Sequence, residues 1–229
     1  MRNLPAGRPL IYLALVAALG ISVLPWGHPP PGAQDSNFFT ETGFSVAGRF
    51  LDAWRGPYTY QESVALNGYP ISAAQPEVDP ADGQTYQVQW FERARFELHP
   101  EKAPPDDVER SLLGKEAVWD SRRGELPFQP VPRPADAGVS WSPQTQHTIR
   151  GAFLQFWNKY GGVTQFGYPL SEAFPEPSRL DGKIYTVQYF ERSRFELHPG
   201  AAPAYGDVIL GQLGVELYHA APGRTPPGP

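Results

Sequence analysis

The sequence predicts an α+β protein of two tandem repeats, each a short helix packed on a β-hairpin or small antiparallel sheet. Self-similarity is the first reason. Residues 86–100 read YQVQWFERARFELHP and residues 185–199 read YTVQYFERSRFELHP, twelve of fifteen positions identical at an offset of 99. GYPIS at 68–72 matches GYPLS at 167–171, and Asp82-Gly83 matches Asp181-Gly182, at the same offset. The second reason is a change of hydrophobic period within each copy, from helical spacing to strand alternation. The third is composition: 41% apolar residues in 229 suffice for a packed core, and the length suits one or two domains of ~150 residues.

The chain opens with Arg2 and Arg8, then an uncharged apolar run at 10–24 (LIYLALVAALGISVL) and a Pro-rich stretch. This is the layout of a secretory signal, so residues 1–34 are read as a signal peptide or N-terminal anchor and the remainder as extracytoplasmic. Repeat unit 1 is assigned to 35–120 and repeat unit 2 to 139–220. Between them, 121–138 carries Pro127, Pro130, Pro132 and Pro134 and reads as an extended Pro-rich linker. The tail, 221–229, reads as disordered.

Within the second copy, Ile149, Phe153 and Trp157 fall at i, i+4 and i+8 beside Leu154 and Tyr160. That apolar stripe predicts a helix of about 10–13 residues, stopped by Gly161-Gly162. Val46, Phe50 and Trp54 form the same stripe in the first copy, stopped by Gly56-Pro57. GYPLS predicts a turn, and Asp181-Gly182 a turn before the strand 184–190. Glu191-Arg192-Ser193 predicts a hairpin turn and 194–198 the return strand, with Phe195 and Leu197 on one face and Arg194, Glu196 and His198 on the other. The last segment, VILGQLGVELY, reads as a short helix or as a strand with a glycine turn. A helix and two strands bury little alone, so the copies are expected to pack on each other.

Nineteen basic residues stand against 24 acidic ones; losing Arg2 and Arg8 with a cleaved segment leaves 17 against 24, or −7. An acidic chain lacks the basic footprint that nucleic acid requires. Cysteine is absent, which excludes disulfides, thiolate metal sites and a lipidated cysteine. No cofactor is expected.

The residues singled out for ligand binding are Tyr69, Trp90, Arg95, Glu97, Tyr168, Tyr189, Arg194 and Glu196. The four aromatics would stack on sugar rings. Arg95, Glu97 and His99, with Arg194, Glu196 and His198 in the second copy, would line a polar strand face; the competing explanation is salt bridging that fixes the hairpin register. A Glu-x-His pair is too small a set for a metal, and none is expected. Glu92 with Glu97, or Glu191 with Glu196, would be the carboxylate pair of a glycosidase, but flanking arginines oppose the raised pKa that role needs. Ser72 and Ser171 lack a nucleophile-elbow context, and Gly161-Gly162 follows a helix, unlike a phosphate loop. The expectation is therefore a non-enzyme, an envelope binding or adhesion module whose partner is wall polymer or an envelope protein, with membrane contact only through the N-terminal segment. The alternative is a wall hydrolase with its active site between the repeats.

The order GYPIS, DG-x-x-Y, VQYFER-x-RFE-x-HP and LG-x-LG-x-E resembles a recurring tandem module of exported bacterial proteins. Copy two fits from Gly151 to Glu216, with Gln146-His147 in place of the leading Thr-Gly. Copy one keeps Thr42-Gly43 but has Ala73 for the Glu after Ser72 and Ser111 for Gly211. More distantly the chain is similar to the LGFP cell-wall repeats, with GYPIS and GYPLS matching their turn and Phe91 and Phe190 their hairpin phenylalanine. The resemblance implies a tethering or targeting role at the envelope.

Overall fold

The computed structural model describes residues 36–79, 82–200 and 206–221, which fall in one compact unit. The segment read as a signal peptide and the tail beyond Ala221 lie outside the described residues. Each repeat begins with a two-stranded hairpin, β1 (Ser36–Phe39) with β2 (Phe44–Ala47) in the first and β7 (Val139–Ser142) with β8 (His147–Arg150) in the second. Two helices follow: α1 (Gly48–Arg55) and α2 (Tyr60–Asn67) in the first repeat, α4 (Gly151–Lys159) and α5 (Gly162–Phe166) in the second. A four-stranded antiparallel meander comes next. Its order is β3 (Gln75–Val78), β4 (Thr85–Trp90), β5 (Arg95–Leu98), β6 (Val108–Arg110), and in the second repeat β9 (Phe174–Pro177), β10 (Ile184–Tyr189), β11 (Arg194–Leu197), β12 (Val208–Leu210). The repeats close with α3 (Leu113–Arg122) and α6 (Leu213–Ala220). The α+β class and the helix-on-sheet repeats stand as expected.

The details differ from expectation for physical reasons. The predicted helices were 10–13 residues, but α1 has eight and α4 nine. Val46 and Ile149 belong to strands, and the chain turns into the helix at Gly48 (φ 53°) and Gly151 (φ 54°), a left-handed conformation that favours glycine. Both strand residues are nonetheless buried because strand and helix face one core, which is why their spacing mimics a longer helix. The left-handed turn of Gly43 (φ 74°) is taken in copy two by Gln146 (φ 59°). Thr145-Gln146, rather than Gln146-His147, is thus the structural equivalent of Thr42-Gly43. The C-terminal segment is both a strand, β12, and a helix, α6.

The segment 121–138 is less of a free spacer than its prolines suggested. Ser121 and Arg122 finish α3, and Leu126–Phe128 form a 3₁₀ turn. Phe128 is buried, its ring 5.7 Å from Tyr189 and 5.8 Å from Phe174. Glu172 N donates to Pro127 O at 2.8 Å and Val131 N to Gln146 O at 2.8 Å. The linker is thereby fastened to the second repeat.

Three apolar clusters hold the fold. Two are outer: Phe39, Phe50, Leu51, Trp54, Phe91 and Phe96 between α1 and the first sheet, and Phe153, Phe156, Phe166, Phe190 and Phe195 between α4, α5 and the second. The third is shared. Ile71, Val88, Trp90 and Leu113 of repeat 1 meet Leu170, Val187, Tyr189 and Leu213, their counterparts in repeat 2, together with Val118 and Phe128. Large side chains gain roughly 1.5–3 kcal/mol each on full burial. Residues of both repeats bury one another in this cluster, so separating the repeats would expose apolar surface that each needs covered.

Candidate functional site

The motif residues that make the copies alike hold each copy together. Trp54 Nε1 donates to Gly68 O at 2.9 Å and Trp157 Nε1 to Gly167 O at 3.2 Å. A Cβ on Gly68 would lie 2.5 Å from Glu92 Cβ, and one on Gly167 2.5 Å from Glu191 Cβ. Glu92 and Glu191 in turn accept from Tyr69 N at 3.1 Å and Tyr168 N at 2.9 Å. Ser72 Oγ accepts from Trp90 N and Ser171 Oγ from Tyr189 N, each at 3.1 Å. Gln89 and Gln188 donate to the Ser72 and Ser171 carbonyls at 3.0 and 2.8 Å. Serine and glutamate here satisfy backbone groups that burial would otherwise leave unpaired.

The aromatic candidates divide accordingly. Trp90 and Tyr189 are 2% and 4% exposed in the shared core, and their faces are not open to a ligand. Trp90 Nε1 donates to Glu77 Oε1 at 2.9 Å, and its ring meets Tyr218 edge-on at 5.5 Å. Tyr189 OH donates to Glu176 Oε2 at 2.8 Å; burial pushes this phenol up to about 12, so it stays a neutral donor. Tyr69 and Tyr168 are half-buried, Tyr69 edge-on to Phe39 at 5.9 Å.

The charged candidates are brought together, but on one another. Arg194 pairs through Nη2 with Glu196 at 2.7 Å and Glu216 at 2.9 Å. Arg95 lies 4.8 Å over the Trp90 ring and contacts Glu97 at 3.1 Å, Glu116 at 3.2 Å and Ser111 Oγ at 2.7 Å. Glu97 and Glu196 thus hold arginines. A Cβ on Gly211 would lie 2.7 Å from Arg194 Nε, so the glycine leaves room that Ser111 fills in the first copy. His198 stacks on Tyr185 at 3.6 Å and meets Glu196 at 3.0 Å; His99 packs on Tyr86 at 4.2 Å. Among the described residues no group of three His, Asp or Glu is placed to hold a metal ion.

Two clefts flank these networks, each walled by one repeat and completed by the hairpin arginine of the other. The cleft at Arg194, Glu196 and Glu216 includes Arg93 and measures about 460 Å³. Its counterpart at Arg95, Glu97 and Glu116 includes Arg192 and measures about 670 Å³. Both sizes suit small-molecule or oligomer recognition. Each cleft carries an aromatic: part-exposed Tyr185, stacked on His198, in the smaller one, and in the larger Trp119, 42% exposed, with Lys115 Nζ 5.5 Å from its ring. The equivalent position in repeat 2 is His219. The repeat pattern carries no signal for Trp119, because the residue is not shared between the copies.

No family model, curated protein or solved structure matches the chain.

Proposed function

We propose that this chain is a non-catalytic, extracytoplasmic binding module that takes an envelope glycan into the larger cleft. The observation that carries the reading is Trp119, a half-exposed indole beside Lys115 and Arg192 in a cleft both repeats build. Flat rings receive the apolar faces of sugars, and neighbouring cations receive acidic substituents. The resemblance to LGFP repeats points the same way. Attachment, on this reading, is to polymer through the cleft. Cosedimentation of the purified protein with insoluble wall polymer tests it. Trp119→Ala should lose retention while unfolding at the wild-type temperature. Equal retention of the variant, or none of the wild type, would move the role to a protein partner.

A further inference from the structure

The arginines of this fold mostly face carboxylates, but two at the junction of the repeats do not. Arg110 ends β6 opposite Phe96, its guanidinium 5.0 Å over that ring. Nη2 donates to Asn67 Oδ1. With its amide oxygen turned inward, Gln165 accepts from Nη2 at 2.8 Å and Nε at 3.3 Å. Arg192, from the other repeat, donates Nε to the Arg110 carbonyl at 3.2 Å and Nη1 to Val163 O at 3.4 Å. Every one of these acceptors is neutral. Glu109, next along β6, lines the same cleft but is held by Lys102, as Glu97 and Glu116 there are held by Arg95. Among the described residues neither guanidinium makes an ion pair, and Nη1 of Arg110 and Nη2 of Arg192 keep their protons unassigned.

We propose that Arg110 and Arg192 clamp one phosphate group at the rim of the larger cleft. Two adjacent guanidiniums without a carboxylate are costly, and the natural complement is a dianion that accepts from both forks. Phosphate matches the two charges better than a carboxylate does. Asn67 is itself fixed, donating Nδ2 to Trp54 O at 2.8 Å, so Arg110 is held ready rather than swept in on binding. Burial, with the charge of Arg192 adding to it and Tyr58 acting the other way, pushes Arg110 down to about 9; it remains charged at neutral pH, and a bound anion would restore it.

The duplicated half supplies a built-in control. There Leu210 stands where Arg110 stands here, and Arg93, the counterpart of Arg192, pairs with Glu92 at 3.1 Å. The clamp therefore exists once per chain although the repeat occurs twice. The inference deepens the proposed glycan reading by naming the chemistry of its acidic substituent, but its test needs inorganic phosphate alone. Failure of phosphate binding sinks the clamp, whereas failure of polymer binding with phosphate intact sinks the glycan.

The experiment is calorimetric titration and thermal unfolding of the whole protein with sodium phosphate, against sodium chloride at equal ionic strength. The expected result is one phosphate per chain and a midpoint raised by roughly 5 °C near saturation. Arg110→Leu, which copies the other half, should weaken binding at least about tenfold, and Arg93→Lys should not change it. Two phosphates per chain, no shift beyond chloride, or undiminished binding by Arg110→Leu would overturn the proposal. If Arg110→Leu does not fold, Arg110→Lys replaces it: a charge without a fork should still bind more weakly, and equal affinity contradicts the clamp. Competition with wall polymer then separates the sources, since release by inorganic phosphate assigns the group to the polymer and no release assigns it to the free ion.

Discussion

A Cβ on Gly214 would sit 1.9 Å from the carbonyl oxygen of Phe91, and one on Gly114 1.9 Å from that of Phe190. Each repeat thus sends its last helix onto the hairpin tip of the other. Lys115 N donates to Glu191 O at 3.0 Å and Val215 N to Glu92 O at 3.2 Å, while Arg93 and Arg192 reach back to the Leu210 and Arg110 carbonyls. This reciprocal exchange is the reason the LG step occurs in both copies.

Gly214→Ala and Gly114→Ala should each destabilise the protein by about 3 kcal/mol, because the obstructing atom is backbone and cannot swing aside. Gly124→Ala has nothing within 4 Å and should change stability by less than ~0.5 kcal/mol. Urea midpoints decide it; tolerance of alanine at Gly214 would mean the helix does not lie on the hairpin tip.

Ser72→Ala and Ser171→Ala remove the acceptors for the buried Trp90 and Tyr189 amides. Each should cost about 1–3 kcal/mol without lowering polymer retention or phosphate affinity at a temperature where the variant is folded. A loss of binding with unchanged stability would give these serines the ligand role that their burial argues against.

Arg49 meets Asp107 through Nε–Oδ2 and Nη2–Oδ1, both 2.7 Å, and holds the Asp107 carboxyl below its ordinary 3.8. A depressed acid contributes stability that is present in full above its unfolded pKa and is lost as pH falls through the folded one. Asp107→Asn should therefore be less stable than wild type by roughly 1–2 kcal/mol at neutral pH, discounted for the part-exposed arginine. The gap should close as the pH drops below about 3.8. Unfolding midpoints of both proteins across that range check it, and a gap independent of pH would contradict the pairing.

How far the sequence revealed this arrangement varied with the kind of signal. The hairpin β10–β11, its tip at Glu191-Arg192 and the GYPLS turn were readable because alternation and turn chemistry act locally. Strands β3 and β9 were not, since QPEV and FPEP contain prolines that argue against a central strand; both lie at sheet edges, where a missing donor costs no ladder bond. Helix α2 leaves a trace in the sequence, the Thr59–Glu62 capping box, but no apolar stripe at helical spacing. Of the candidate site, the aromatics and arginines of the hairpin were legible as residues. Their placement in a core shared between repeats was not, because no local pattern shows which copy a strand face will meet. The Arg110–Arg192 pair depends on long-range juxtaposition and on a difference between the copies, and identity between copies conceals both.

The two repeats make one interlocked body. The most direct measurement separates them after Gly124, in the exposed turn behind α3, giving 36–124 and 125–221. The account predicts that neither fragment unfolds cooperatively alone and that mixing yields a one-to-one complex with the near-ultraviolet dichroism of the intact chain. Two fragments that each fold as stable monomers and ignore one another would contradict it.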